Sequence, residues 1–290
     1  MNFLNIVKKL SYTAALFATL TFSTAAIAPT HQNDPSQTNK TVSKVKIICL
    51  DAGHGGHDHG AVGRKAKEKD LTLEVVLKLG KRIEEGLPGV KVIYTRTTDS
   101  YPKLYERPEL ANKNKADLFI SVHCNSADVD VRTKNRQGRY VNSVRRNPSA
   151  KGTETLICGF NRLDQQDVAI RENASILLEE NYQDNYMGFD PKDPSSYIVF
   201  KLMKRQFRDQ SIKLASYMQG EFSNASRTNR GVKEQGLAVL ATAGMPAVLT
   251  EIGFISNPDE EEYMISDSGQ KEIVENLFQA IKTYKNNVEK

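Results

Sequence analysis

Short runs of apolar and β-branched residues alternate along this chain with segments whose apolar residues recur at helical spacing, and few folds satisfy that alternation. The runs are residues 45–50, 90–94, 118–122, 153–157, 238–240 and 247–251, and each is read as a strand. Between the first two, Leu71, Val75, Leu79, Ile83 and Leu87 fall on one helical stripe that would cover a sheet face. Residues 104–115 form a second expected helix with Leu110 and Ala111 on its apolar side. A last one spans 269–285, with Ile273, Leu277, Ala280 and Ile281 aligned. The pattern predicts one α/β domain over residues 44–287, a sheet with helices packed on its faces.

Residues 160–226 interrupt the alternation with a polar stretch too long for an ordinary connection. Within it, 163–181 is helix-compatible, 188–194 is rich in turn formers, and 195–222 reads as a long amphipathic helix. The expectation is a helical insertion that either thickens the domain or acts as a lid or regulatory arm.

At the N-terminus, Lys8 and Lys9 precede an apolar run over 10–22 and small residues over 23–28, the layout of a secretory signal. Cleavage is expected after Ala25 or Ala28, followed by a flexible polar linker over 29–43. No later stretch is apolar and long enough to span a bilayer, so a product released into a periplasm or outside the cell is expected, with no integral membrane association. The formal net charge of +5 includes both signal lysines and does not argue for nucleic acid. Cys49, Cys124 and Cys158 are an odd set, two of them in or beside strand-like runs, and read as buried free thiols. No internal repeat and no tandem wall-binding module is read in the chain.

The strongest local signal is the glycine- and histidine-rich stretch over 50–60, directly after the first strand. It therefore sits at a carboxyl end of the sheet, where open α/β folds place ligands. Glycines around His54 leave its imidazole accessible, and no phosphate-binding GxGxxG or GK[ST] pattern is completed. His123 ends the run over 118–122, so the sheet delivers two imidazoles to one edge, and neutral imidazole is a favoured zinc ligand. A catalytic zinc needs a third protein ligand and an open position. Glu68, at the start of the first long helix, is the leading choice; Asp70 and Glu74 are alternatives, with Glu74 pointing away. Glu251 ends an otherwise apolar strand on the same edge, where a carboxylate is costly unless paired, protonated or employed. There it can take a proton from water and pass it to a leaving amine, as amide hydrolysis requires. Cys124 is no partner for His123, because adjacent strand residues face opposite ways. No GxSxG or HExxH motif is present.

The blocks around His54, Glu68, His123 and Glu251, with Thr95-Arg96, Glu106-Arg107, Ala111-Asn112, the stretch 116–121 and the stretch 253–257, resemble the zinc-dependent N-acetylmuramoyl-L-alanine amidases of the type-3 amidase family. The resemblance runs from about residue 45 to 284. It implies a mixed, mostly parallel sheet flanked by helices, one Zn2+ per chain held by His54, Glu68 and His123, and Glu251 as the catalytic glutamate. It also implies hydrolysis of the amide between the lactyl group of N-acetylmuramic acid and L-alanine in peptidoglycan, in cell separation or wall turnover. Asn125 matches a position close to substrate; Arg96 and Arg107 match family positions and are assigned to salt-bridged scaffolding.

The insertion resembles the arm of Gram-negative cell-division amidases, around Ala174-Ser175, Glu180-Asn181, Asp184 and Gly188. In those relatives an arm helix covers the zinc and supplies a blocking carboxylate until an activator displaces it, which implies an activator of the LytM type and a periplasmic location. Glu180 is the expected blocker, with Glu172 and Glu179 close behind; all three can equally be solvated helix carboxylates. His57 and His59 depart from the family pattern by crowding the loop. The alternatives are a catalytically silent wall-binding regulator on the same scaffold, and a zinc peptidase or deacylase acting on another envelope amide.

Overall fold

The computed structural model describes residues 44–290, apart from 162, 187 and 203–205. The expected signal peptide and linker lie outside the described residues. In chain order the regular elements are β1 (Ile47–Ala52), α1 (Glu68–Gly86), β2 (Lys91–Tyr94), α2 (Glu106–Lys113), β3 (Leu118–Asn125), β4 (Val129–Lys134), β5 (Tyr140–Arg145) and β6 (Thr153–Cys158). They continue with α3 (Asp167–Asn173), α4 (Tyr182–Asn185), α5 (Val199–Leu202), α6 (Arg208–Asn224), β7 (Asn229–Gln235), α7 (Ala238–Ala241), β8 (Ala247–Phe254), α8 (Pro258–Ile265) and α9 (Asp267–Val288).

Six strands form one sheet in the order β2-β1-β3-β8-β6-β7. Every neighbouring pair is parallel except β8 with β6. Alternation along the strands sorts the core into two layers. Ile48, Leu50, Leu118, Ile120, Val122 and Val248 pack with α1, α6 and α9, through residues such as Leu79, Met218 and Leu277. Cys49, Phe119, Leu156 and Leu249 face the other way, onto Ala111 of α2, Ala169 of α3, Phe200 of α5 and Leu240 of α7. Cys124 lies in the first layer, away from the His123 side of β3; no disulfide joins the three cysteines, and Cys158, unlike the other two, is only partly buried. Helix α9 starts where the Ser266 side chain accepts from Gly269 N at 3.0 Å.

Three expectations from the sequence need correction. Residues 238–240, read as a strand, form helix α7; three consecutive buried apolar residues carry no periodicity that separates strand from helix. The sheet ends instead, beside β6, in β7, Asn229–Gln235, whose polar sequence suits an edge strand paired on one side only. The insertion is also less helical than expected: α3 has seven residues and runs into a 3-10 turn at Ala174–Leu178. The expected long helix over 195–222 divides into a 3-10 turn, α5 and α6. The arm is nonetheless anchored, since Asn173 donates from Nδ2 to Gly236 O (2.7 Å) and accepts at Oδ1 from Ala238 N (2.9 Å).

Candidate metal centre

The carboxyl ends of β1 and β3 lie side by side in parallel register, Ala52 beside Val122, so the residues that follow emerge at one edge. His54 adopts φ 59°, a left-handed conformation that is uncommon without glycine. Its carbonyl is held by Arg107 Nη2 at 3.0 Å, and its Nδ1 meets Asp58 Oδ2 at 2.8 Å. With the Nδ1 proton given to Asp58, the Nε2 lone pair faces inward. Glycine is required beside each of the two imidazoles. A Cβ at Gly53 would stand 2.5 Å from the His123 ring, and one at Gly60 would stand 2.5 Å from His54 Cδ2 and 2.6 Å from Glu68 Oε2.

Glu68 opens α1 and turns back to the same edge, as its place after the loop predicts. Its Oε2 accepts from Ala61 N (2.8 Å) and its Oε1 from Cys124 N (2.9 Å). The same Oε1 lies 3.1 Å from both His54 Nε2 and His123 Nδ1. A fourth group comes from the arm: Glu172 Oε2 is 3.2 Å from His54 Nε2 and 2.9 Å from His123 Nδ1. His54, Glu68, His123 and Glu172 are all buried, and one ligand atom from each lies within 4.8 Å of the others.

These residues fit a zinc ion. Two imidazoles and carboxylates are its usual ligands, and bonds of about 2.0–2.1 Å in a tetrahedron set ligand atoms about 3.4 Å apart. The separations of 2.9–3.2 Å given above are close to that edge length. His54 Nε2 and Glu172 Oε2 are also buried without a hydrogen-bond partner among the described residues, which a cation between them would resolve.

Electrostatics point the same way. Burial works against charging His54, but the carboxylates of Glu68, Asp58 and Glu172 outweigh it and hold the imidazole well above its usual range. His123 is likewise pushed up to about 9, burial being overcome by Glu172 and Glu68. Glu172 is held well below the carboxylate range, despite burial, by His123 and Arg171. The buried carboxylates of the cluster thus supply the negative charge that a dication between them would balance.

Glu251 stands in β8, in register with His123 on the neighbouring strand. It is fully buried, and burial together with the negative charge of Glu172 lifts it well above the ordinary carboxylate range. Among the described residues its Oε2 has no hydrogen-bond partner, and its Oε1 accepts from Arg171 Nη2 at 3.3 Å. Arg171 also donates from Nε to Glu172 Oε1 at 2.9 Å. One short helix, α3, therefore reaches the imidazoles with one residue and the buried glutamate with its neighbour.

Glu180, the expected blocking residue, is exposed, and Glu179 is turned aside to Tyr186 and Tyr101 through hydroxyls at 2.9 and 3.2 Å. Glu172 shares the inward face of α3 with Val168 and Ala169, four and three residues earlier, which is the signal that marks it. His57 packs tilted against Tyr101, and neither His57 nor His59 joins the cluster. Asn125 is buried, gives its amide to Glu154 (2.8 Å) and lines a cavity of about 830 Å³ beside Arg171. Arg96 and Arg107 both lie beneath the loop as scaffolding. Arg96 caps the carbonyls of Ala52, Gly53 and Lys69, while Arg107 pairs with buried Asp51 at 2.9 Å. Asp58 and Asp51 were not singled out from the sequence; the spacing of Asp58 four residues after His54 was its one visible cue.

Comparison with known proteins decides the family. Residues 48–283 match the Amidase_3 profile, N-acetylmuramoyl-L-alanine amidase. The chain belongs to that family. The chain is 29% identical over 262 residues to the N-acetylmuramoyl-L-alanine amidase AmiC of Escherichia coli, covering 88% of this chain and 57% of AmiC. It therefore spans little more than half of that relative. It is 28% identical to AmiA of Salmonella typhimurium, covering 86% of this chain and 78% of AmiA. Among solved structures, an N-acetylmuramoyl-L-alanine amidase from Clostridium difficile aligns with TM-score 0.58 at 25% identity, over 84% of this chain and 98% of that one. The CwlD amidase from Clostridioides difficile, solved in complex with the GerS lipoprotein, shares the fold with TM-score 0.57 at 23% identity, over 83% of this chain and 99% of that one. The mixed, mostly parallel sheet flanked by helices is the architecture of these amidases.

Proposed function

We propose that this chain hydrolyses the amide between the lactyl group of N-acetylmuramic acid and L-alanine in peptidoglycan, and that its own arm keeps its basal activity low until a partner moves α3. The observation that carries the reading is the meeting, at one sheet edge, of the four-residue cluster with buried Glu251. His54, Glu68 and His123 would hold one Zn2+. Bound there, zinc supplies a Lewis acid that activates water and polarises the scissile carbonyl near neutral pH.

The remaining work falls to the protein. Asp58 fixes the tautomer and orientation of His54. Glu251, beside the cluster and shielded from bulk water, accepts a proton from the attacking water and returns it to the leaving amine. Glu172 takes up the position that an open site would leave to water or substrate, and Arg171 occupies the carboxylate that must move protons. Asn125, on the wall of the cavity beside Arg171, would contact substrate there.

An activator of the LytM type would relieve this block by withdrawing α3. The CwlD amidase in complex with the GerS lipoprotein supports the idea that this fold carries protein partners. Among the described residues no helix is long and apolar enough to cross a membrane, and the signal-like N-terminus supports export to the periplasm, for cell separation or wall turnover.

The test is digestion of purified peptidoglycan with and without zinc, with fragments identified by mass spectrometry. The expected products are free stem peptides and intact glycan bearing lactyl carboxylates. Release of disaccharides or of peptides cut internally would overturn the assignment of the bond.

A further inference from the structure

Hairpin β4–β5 stands outside both core layers and has no counterpart in the sheet. Residues 129–146 carry six basic side chains and one acid, a net of +5 that equals the formal charge of the whole chain. Among the described residues no acidic side chain pairs with Arg132, Lys134, Arg136, Arg139 or Arg145; Arg146 at the base pairs with Asp128 at 2.6 Å. A two-stranded hairpin is marginal in water unless something else holds it. Here the base is tied down by Arg146 to Val62 O (2.7 Å), and the tip by Asn135, whose Oδ1 accepts from Gln137 N and Arg139 N (3.0 and 2.9 Å).

Its faces are not equivalent. The cross-strand pairs Lys134–Tyr140 and Arg132–Asn142 put these residues on the same face as Val144. Val144 and Arg146 line the cavity of about 800 Å³ that also holds His54, Glu68 and Glu172. The face that begins at the metal centre therefore continues outward through Asn142 to Tyr140, which is 58% exposed. The cations of Arg132 and Lys134 sit 4.8 and 5.1 Å from the Tyr140 ring centroid, which keeps them on this face. Four further arginines flank the strip at its tip and base.

We infer that this hairpin is a polymer-binding arm that engages the free carboxylates of peptidoglycan stem peptides next to the one being cut. The inference rests on the proposed function for the identity of the polymer. Charge complementarity supports it, since stem peptides present carboxylates at intervals along the glycan and arginine is well matched to them. Continuity with the site cavity selects this occupant over a membrane or a nucleic acid, because the polymer lying in the site must pass along this face.

The test uses the full chain carrying Glu251→Gln, which cannot turn over, and isolated sacculi in a sedimentation assay at low salt. Adding Arg132→Gln, Lys134→Gln, Arg136→Gln and Arg139→Gln together should weaken retention about tenfold or more and flatten its salt dependence. These side chains are exposed and leave the core untouched. Sacculi whose carboxylates have been amidated need no variant: they should lose the parent chain by a similar factor and bind the quadruple variant no worse than before. Equal retention of parent and variant would overturn the inference, as would indifference to amidation or preference for phosphatidylglycerol vesicles over sacculi. With Glu251 intact, the quadruple variant should cut sacculi more slowly through KM and cut a soluble muramoyl tripeptide as the parent does. A chain that binds sacculi through the hairpin yet cleaves neither substrate would sink the proposed hydrolysis and leave the arm standing; cleavage of sacculi indifferent to the hairpin would do the reverse.

Discussion

The two halves of the candidate site are built differently. The sheet-edge half, His54, Glu68, His123 and Glu251, stands on β1, α1, β3 and β8 and is braced from behind by buried groups. Asp51 alone takes Arg107 Nη1 at 2.9 Å, Ser121 Oγ at 2.5 Å and Thr95 Oγ1 at 2.6 Å. The arm half, Arg171 and Glu172, stands on a seven-residue helix between 3-10 turns, and its charges pair chiefly with the functional groups themselves. Rigid elements hold reactive groups in place, whereas a short helix with few backbone ties can leave at modest cost. The contrast implies that damage to the edge removes activity or stability, and that damage to the arm releases activity.

The largest effect should come from Glu251→Gln. Removing a positioned proton carrier typically lowers turnover by about 10²–10⁴. Zinc content should stay stoichiometric, because Glu251 lies outside the four-residue cluster. Turnover near wild type in zinc-loaded variant would break the assignment of the edge as the reacting half.

Next in size is Asp51→Asn, which leaves the Arg107 guanidinium buried and unpaired. Loss of one partner of a buried pair costs about 3–5 kcal/mol. Burial alone would raise the Asp51 carboxyl, but Arg107, Ser121 and Thr95 hold it below its ordinary value. Its stabilising contribution is therefore complete above the unfolded pKa of about 3.9 and is lost as pH falls through the lower folded value. Denaturant melts should show the full gap between wild type and variant at neutral pH and a narrowing gap only in strong acid.

How much of this was legible depended on how local the signal was. His54 follows β1, Glu68 opens α1, and His123 and Glu251 lie in the carboxyl halves of β3 and β8, so element type and polarity sufficed to put them on one edge. Arm residues were harder, because the phase of a helix carries meaning only while the helix is unbroken. Residues 163–181 as one helix leave Glu180 as good a blocker as Glu172; the break after Asn173 ends the face shared by Val168, Ala169 and Glu172 and leaves Glu180 exposed. Strand β7 and hairpin β4–β5 escaped notice for a related reason. Edge strands and exposed hairpins need no buried alternating face, so β7 and β5 show no apolar pattern to read.

A smaller effect tests the bracing of a single ligand. Asp58→Asn keeps the shape of the loop but weakens the hold on His54 Nδ1, and outer partners of this kind are worth about 10–100-fold in metal affinity. Competition with a chelator of known affinity reads the change directly. Unchanged zinc affinity would mean that the ring is held by its backbone alone, through Arg107 and the left-handed turn.

The comparison is at greatest risk from Glu172→Ala. The contact of a buried carboxylate with an imidazole is of the order of a charge-assisted hydrogen bond, about 1.5–3 kcal/mol, and about 1.4 kcal/mol is a tenfold change in an equilibrium constant. Freeing His54 and His123 from this carboxylate should therefore raise basal peptidoglycan hydrolysis roughly tenfold without any partner protein, with zinc still bound by the three edge residues. Stability should change far less than in Asp51→Asn, since the Asn173 bonds to Gly236 and Ala238 keep the arm attached. A rise in activity with little loss of stability would mark Glu172 as a removable plug. A zinc-depleted or unfolded variant would instead make Glu172 a structural ligand, and the two halves of the site would then be one.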